Sequence, residues 1–218
     1  MTDVGNLLTQ LRYMSSHSTA DYGWCAGGAA PNTNVIQRFA FASDGNSTDW
    51  ADLYIVTTSC SNGAQSGTYG YISGGYISGE SNMIQKFPFA TQSTGTDVGN
   101  LTINVLSSGS ASSETHGYSM GGNMGPPSAP ASTSTNIIDR YAFASDGNAT
   151  DVANLTQARF RPSSSSSKTY GYMAGGVLDS GAPKYNIIDK FAFATDSDST
   201  DVGDLTQTDE YMGHGSQY

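Results

Sequence analysis

The chain repeats itself, and no other feature narrows its possible folds so sharply. The recurring anchor is Asp, an aliphatic or aromatic residue, two small or polar residues, then Leu. It occurs as Asp3-Val-Gly-Asn-Leu7, Asp49-Trp-Ala-Asp-Leu53, Asp97-Val-Gly-Asn-Leu101, Asp151-Val-Ala-Asn-Leu155 and Asp201-Val-Gly-Asp-Leu205. Successive copies stand 46, 48, 54 and 50 residues apart, so five anchors bracket four full units. A period near 50 belongs to solenoids and propellers, where each unit is one small module that buries its apolar face only against its neighbours. The 218 residues are therefore expected to form a single repeat domain over 1–218, with units at about 1–48, 49–96, 97–150 and 151–200 and a partial repeat at 201–218.

Each unit runs from its anchor through a Ser-rich stretch into an aromatic-Gly-aromatic step and a Gly-Gly pair. The four copies are Tyr22-Gly-Trp24 with Gly27-Gly28, Tyr69-Gly-Tyr71 with Gly74-Gly75, His116-Gly-Tyr118 with Gly121-Gly122, and Tyr170-Gly-Tyr172 with Gly175-Gly176. The step reads as a strand ending in a bend. After a variable loop comes a block of alternation, as in Asn34-Val-Ile-Gln-Arg-Phe-Ala-Phe41 and Asn186-Ile-Ile-Asp-Lys-Phe-Ala-Phe193. At the period of two of a strand, both faces of this block carry apolar groups, as a strand between stacked sheets requires. Loops such as Ser43-Asp-Gly-Asn-Ser-Thr48 then turn the chain into the next anchor. With the Ser-rich stretch counted as a weak strand, each unit holds four short strands. The reading is all-β: a small β-propeller of about four four-stranded blades. Composition agrees, since Ser and Thr total 53, Gly 26 and Glu only three, a poor recipe for helices.

The Gly-Gly pair, the aromatic strand after it and the closing Leu together resemble the kelch repeat over nearly the whole chain. Asn186-Ile-Ile-Asp-Lys-Phe191 falls at that repeat's third strand and Asp201-Val-Gly-Asp-Leu205 at its fourth. The kelch tryptophan of the fourth strand occurs once, as Trp50, and is Val at 4, 98, 152 and 202. The phrasing Gly-Tyr-x-x-Gly-Gly, Asn-Ile-Ile-Asp-Lys-Phe-x-Phe-Ala and Thr-Asp-Val-Gly-Asp-Leu is similar to kelch-like repeats of marine phage, cyanophage-type, virion and tail-associated proteins. That resemblance implies a virion protein whose partners are other virion proteins, copies of itself, or a host-surface glycan.

The residues themselves exclude several classes. A net charge of −10 with nine scattered basic residues leaves no footprint for a phosphate backbone, so nucleic acid is not an expected ligand. No apolar run approaches the length of a spanning helix and the N-terminus has no signal-peptide character, so no membrane insertion is expected. Cys25 and Cys60 are too few for a disulfide scaffold and are read as free, half-buried thiols, with a bridge between them as the alternative. His17, His116 and His214 fall in different phases of the repeat, and no nucleophile elbow or phosphate cradle appears. The Asp-Gly-Asn loops lack the full spacing of a calcium loop and are read as turn-stabilising. No catalytic residue, metal or cofactor is expected.

Two repeated sets are candidate binding residues. Arg38, Lys86, Arg140 and Lys190 share one position and would form a ring of four cations able to hold an anion; the plainer reading pairs each with a repeat carboxylate such as Asp49, Asp97, Asp151 or Asp201. Tyr22, Tyr69, His116 and Tyr170 could line a sugar-binding face, or simply be core. The loops after Gly-Gly vary most, and the Pro-rich loop 123–135 is the one expected to touch a partner. Because both ends carry the anchor, a ring of four cannot seat both alike, and one end is expected to be displaced or to lie against a neighbouring subunit. The expected function is a non-catalytic virion structural or appendage protein acting in protein–protein or host-surface contact. The alternatives are a soluble lectin-like glycan-binding propeller, then an enzyme whose site escapes motif reading.

Overall fold

A computed structural model of the chain describes residues 3–59, 63–125, 133–179 and 182–208. They hold nineteen strands and no helix. Blade 1 is β1 (Ser15–Ser18), β2 (Tyr22–Ala26), β3 (Val35–Ala40) and β4 (Thr48–Asp52), and blade 2 is β5 (Ala64–Gln65), β6 (Tyr69–Ser73), β7 (Met83–Pro88) and β8 (Thr96–Asn100). Blade 3 is β10 (Gly109–Ser112), β11 (His116–Met124), β12 (Thr133–Ala142) and β13 (Thr150–Asn154), with the short β9 (Val105–Leu106) paired to the end of β11. Blade 4 is β14 (Ser163–Ser166), β15 (Tyr170–Ala174), β18 (Ile187–Ala192) and β19 (Thr200–Asp204), and β16 (Val177–Asp179) and β17 (Ala182–Lys184) form a separate hairpin. In every blade the strands lie side by side in chain order and pair antiparallel. The fold is a four-bladed β-propeller, and each anchor is the outer strand of the blade it closes.

Local chemistry accounts for the pattern. The aromatic-Gly-aromatic step is strand through its glycine, as read from the sequence: Gly23, Gly70, Gly117 and Gly171 stand opposite Phe39, Phe87, Tyr141 and Phe191. The aromatic ring lies over the bare glycine, so that a Cβ at Gly70 would sit 2.6 Å from the Phe87 ring. The bend comes at the Gly-Gly pair, where Gly27 and Gly28 have φ of 66° and 118° and the other three pairs match them, a left-handed backbone that glycine adopts at no steric cost. Beside Ile36, Ile84, Ile138 and Ile188 the outer strand of each blade carries a bulge, its extra residue Trp50, Val98, Val152 or Val202. The bulge bends the outer strand locally, and the third-strand residues beside it, Gln37, Gln85, Asp139 and Asp189, are all buried.

The core is not one mass. Three clusters fill the three junctions: Trp24, Ile36 and Leu53 with Phe87 and Phe89 between blades 1 and 2; Tyr71, Ile84 and Leu101 with Tyr141 and Ala149 between blades 2 and 3; Tyr118, Ile138 and Leu155 with Met173 and Phe191 between blades 3 and 4. One face of each third strand thus looks to the next blade and the other to the previous one.

The two end anchors differ. The C-terminal copy forms β19 and pairs with β18. The N-terminal copy forms no strand; residues 3–8 lie along blade 1, where Ser47 N–H donates to Asn6 O at 2.9 Å and Gly45 N–H to Val4 O at 2.8 Å. Residues 209–218, including Tyr211 and His214, fall outside the described set, as do Cys60 and the tip 126–132 of the Pro-rich loop.

Candidate functional site

The two sequence-derived candidate sets are one set in space. In blades 1, 2 and 4 the cation of the third strand lies over the first aromatic of the step in its own blade. Arg38 sits 4.3 Å from the Tyr22 ring and 3.7 Å from Trp50, Lys86 4.9 Å from Tyr69, and Lys190 4.8 Å from Tyr170. In blade 3 the partner is His116, whose pKa is lowered by burial first and by the Arg140 charge second. These contacts are short enough for cation–π attraction.

Two of the cations also bind the following blade. Lys86 Nζ donates to both oxygens of Asp146, at 2.6 and 2.8 Å, and Arg140 pairs with Asp196. The partners are thus loop carboxylates of the neighbouring blade, not the anchor carboxylates Asp49, Asp97, Asp151 and Asp201 that the sequence suggested. Blade 2 has Gln92 where blades 3 and 4 have Asp146 and Asp196, and Arg38 is instead sandwiched between Tyr22 and Trp50. Two of the four, Lys86 and Arg140, thus fasten one blade to the next, while Arg38 and Lys190 lie over aromatics of their own blades. Tyr22, Tyr69 and His116 are half-buried and Tyr170 is 37 % exposed. The core aromatics are the residues two places on, Trp24, Tyr71 and Tyr118, each 1 % exposed.

Those three stack on the next blade. Trp24 meets Phe89 at a ring-centre distance of 4.6 Å, Tyr71 meets Phe143 at 4.7 Å and Tyr118 meets Phe193 at 4.9 Å. Burial pushes the Tyr71 phenol up to about 12 and raises Tyr118 and Tyr141 as well, because a phenolate in an apolar junction loses its hydration.

The Asp-Gly-Asn loops do similar work. Asn148 Oδ1 accepts from Asn100 N–H at 3.0 Å, Asp198 Oδ1 from Asn154 N–H at 2.8 Å and Asn46 Oδ1 from Asn6 N–H at 2.9 Å. The buried third-strand residue beside each bulge takes part too: Gln37, Gln85, Asp139 and Asp189 accept from the backbone of Leu8, Ile55, Thr102 and Thr156. Asp189 also pairs with Arg159 at 3.1 Å, both fully buried. Sequence reasoning missed this pair, because Arg159 lies outside the repeated strands and only tertiary packing brings it to Asp189. Cys25 is half-buried and burial raises its thiol pKa.

A second feature was not foreseen. The turns after β5, β10 and β14 surround a polar basin of about 410 Å³, with Ser66, Ser113, Ser167, Glu114 and Lys168 on its wall. The three serines hold their turns, accepting from the backbone of Tyr69, His116 and Tyr170 at 3.0, 3.0 and 3.1 Å. A Ser three residues ahead of each of these aromatics was its only sequence signal. Among the described residues no cluster of three His, Cys, Asp or Glu could hold a metal ion.

Blades stacked through repeated aromatic and polar fastenings define the class, a β-propeller. No family model matches the sequence, and no curated protein matches it. In fold, 164 solved chains match. One, described as "Structure of YjhT", superposes with a TM-score of 0.76 at 10 % identity, over 94 % of this chain and 68 % of that one. At that identity the likeness is one of fold.

Proposed function

We propose that the protein is a non-catalytic interaction module of a virion, a structural or appendage component that contacts other virion proteins, its own copies or the host surface. The observation that carries this reading is the fate of the repeated residues. Lys86, Arg140, the aromatics Trp24, Tyr71 and Tyr118 and the loop carboxylates Asp146 and Asp196 are committed to blade junctions, which leaves chain-specific chemistry to the loops. Those loops are where the blades diverge: β11 and β12 extend past the Gly-Gly pair, and in blade 4 the same stretch forms the β16–β17 hairpin, separate from the blade's sheet. A rigid scaffold with divergent loops is the usual design of a recognition protein. The virion location rests on the phage-like phrasing of the repeat. The test is mass spectrometry of purified particles together with a variant whose β16–β17 hairpin is cut to a short turn. Fixed stoichiometry in particles, lost with the hairpin, is expected; absence from particles would reject the location.

The polar basin favours a second reading, a lectin-like module, since its volume suits a small ligand and its wall offers hydroxyls, one acid and one base. Binding on a glycan array that Glu114→Gln weakens would support it.

A further inference from the structure

Each blade junction is built from the same paired parts, and the two halves of one more junction lie open at the ends of the molecule. On the far face of blade 4, Tyr172 holds the position of Trp24, Tyr71 and Tyr118, but it is only half-buried. Val202 on β19 is 46 % exposed. Gly203 meets nothing within 4 Å, whereas Gly5 and Gly99 at the same anchor position press against Gly45 and Gly147. On the near face of blade 1, Phe41 holds the position of Phe89, yet it is 54 % exposed against 8 % for Phe89.

The charges match as well. Lys190 holds the position of Lys86 and Arg140 and has no ion pair among the described residues. Asp44 holds the position of Asp146 and Asp196 and is likewise exposed and unpaired among them. Lys86 and Arg140 thus reach forward to the next blade's loop, and the last cation and first loop both lack that partner among the described residues.

We infer that the open face of blade 4 takes the open face of blade 1 of a second copy, head to tail, in a fourth junction of the same kind. Tyr172 stacks on Phe41 of the other copy, Lys190 pairs with its Asp44, and Val202 and Leu205 close the apolar seam. A second copy is the occupant because this chain alone supplies both halves. Residues 3–8 supply only the backbone part of the slot on blade 1, leaving Phe41 uncovered and Asp44 without a cation. Their anchor differs from that of β19 only at Asn6 against Asp204, so β19 of the neighbour replaces them, its Asp204 carbonyl taking the Ser47 N–H that Asn6 now holds. A head-to-tail contact of this kind is heterologous and propagates to a ring or a filament. A virion location is not needed for it.

Sedimentation equilibrium of the full chain tests this. The wild type is expected to rise above 22.8 kDa with concentration. Asp44→Lys and Lys190→Asp, both surface changes, should each weaken self-association about tenfold or more. An equimolar mixture of the two should recover it, because every mixed junction then joins opposite charges. Lys190 of the Asp44→Lys chain faces Asp44 of the Lys190→Asp chain, and at the next junction the two substituted positions face each other with their signs exchanged. Gly5→Val, which drives a side chain against Gly45 and loosens residues 3–8, should tighten association. A wild type that stays at monomer mass at every concentration, a mixture no heavier than its single variants, or a Gly5→Val chain that associates no better would overturn the proposal.

Discussion

Gly70 and Phe87 show why this chain spends glycine inside strands, where it is ordinarily costly. The Phe87 ring needs the volume a Cβ would fill, and in return covers backbone that glycine would leave open. Gly70→Ala should therefore cost about 1–3 kcal/mol, the usual range for overpacking, read from the urea midpoint. Gly67→Ala, in an exposed turn with open space around it, should leave that midpoint unmoved. Asp139 makes a second prediction at this scale. Burial raises its carboxyl above the ordinary value of 3.8, and the hydrogen bonds from Thr102 offset only part of that. A carboxyl raised in the folded state binds its proton more tightly there than when unfolded, so its contribution is complete below 3.8 and lost as pH rises through the folded pKa. Asp139→Asn should flatten the fall in stability between pH 3.8 and neutrality. An unchanged slope would show that Asp139 ionises in the fold as freely as in water.

The strands divide into those whose role was legible in the sequence and those that only packing explains. Alternation in Asn34–Phe41 and its three copies gave the third strands, and Gly-Gly gave the turns, because period two and left-handed backbone are local properties. The outer strands were legible through Asp-Val-Gly-Asn-Leu, and their partial exposure follows from a position at the blade edge. The bulge at Trp50, Val98, Val152 and Val202 in the outer strands was not legible, since it answers to the third strand alongside. The cation partners were missed for the same reason: Asp146 lies 60 positions from Lys86 and is a neighbour only because blades stack. Register also separates Tyr22, which sits under a cation, from Trp24, which fills a junction, although the sequence presents both as one step. The junction tyrosines carry a prediction. Tyr71, pushed up to about 12, and Tyr118 and Tyr141, also raised, hold their protons in the fold beyond the ordinary 10.0. Their contribution is complete below 10.0 and is lost as pH rises through the folded values. Ultraviolet titration should resolve a late group of phenols that ionise with unfolding, and Tyr71→Phe should shrink that group by one. A single smooth titration at the ordinary pKa would mean that the junctions are wet.

At the scale of the molecule, stability is a sum over blades and junctions. Blades 2 and 3 are covered on both faces, while blades 1 and 4 each have one covered face. Amide exchange should therefore be slowest in β6, β7, β11 and β12 and faster in β3 and β18, although all four blades share one strand pattern, because local opening follows buried contact. The same measurement reports on the open faces. In dilute solution the terminal blades have no neighbour and their exchange should be concentration-independent. As concentration rises, a second copy seated on Tyr172 and Phe41 should slow exchange in β3 and β18 and leave β7 and β12 as they were. Slow exchange in β3 and β18 already at the lowest concentration would mean that the chain covers those faces itself, and the ends would then be ordinary interior junctions.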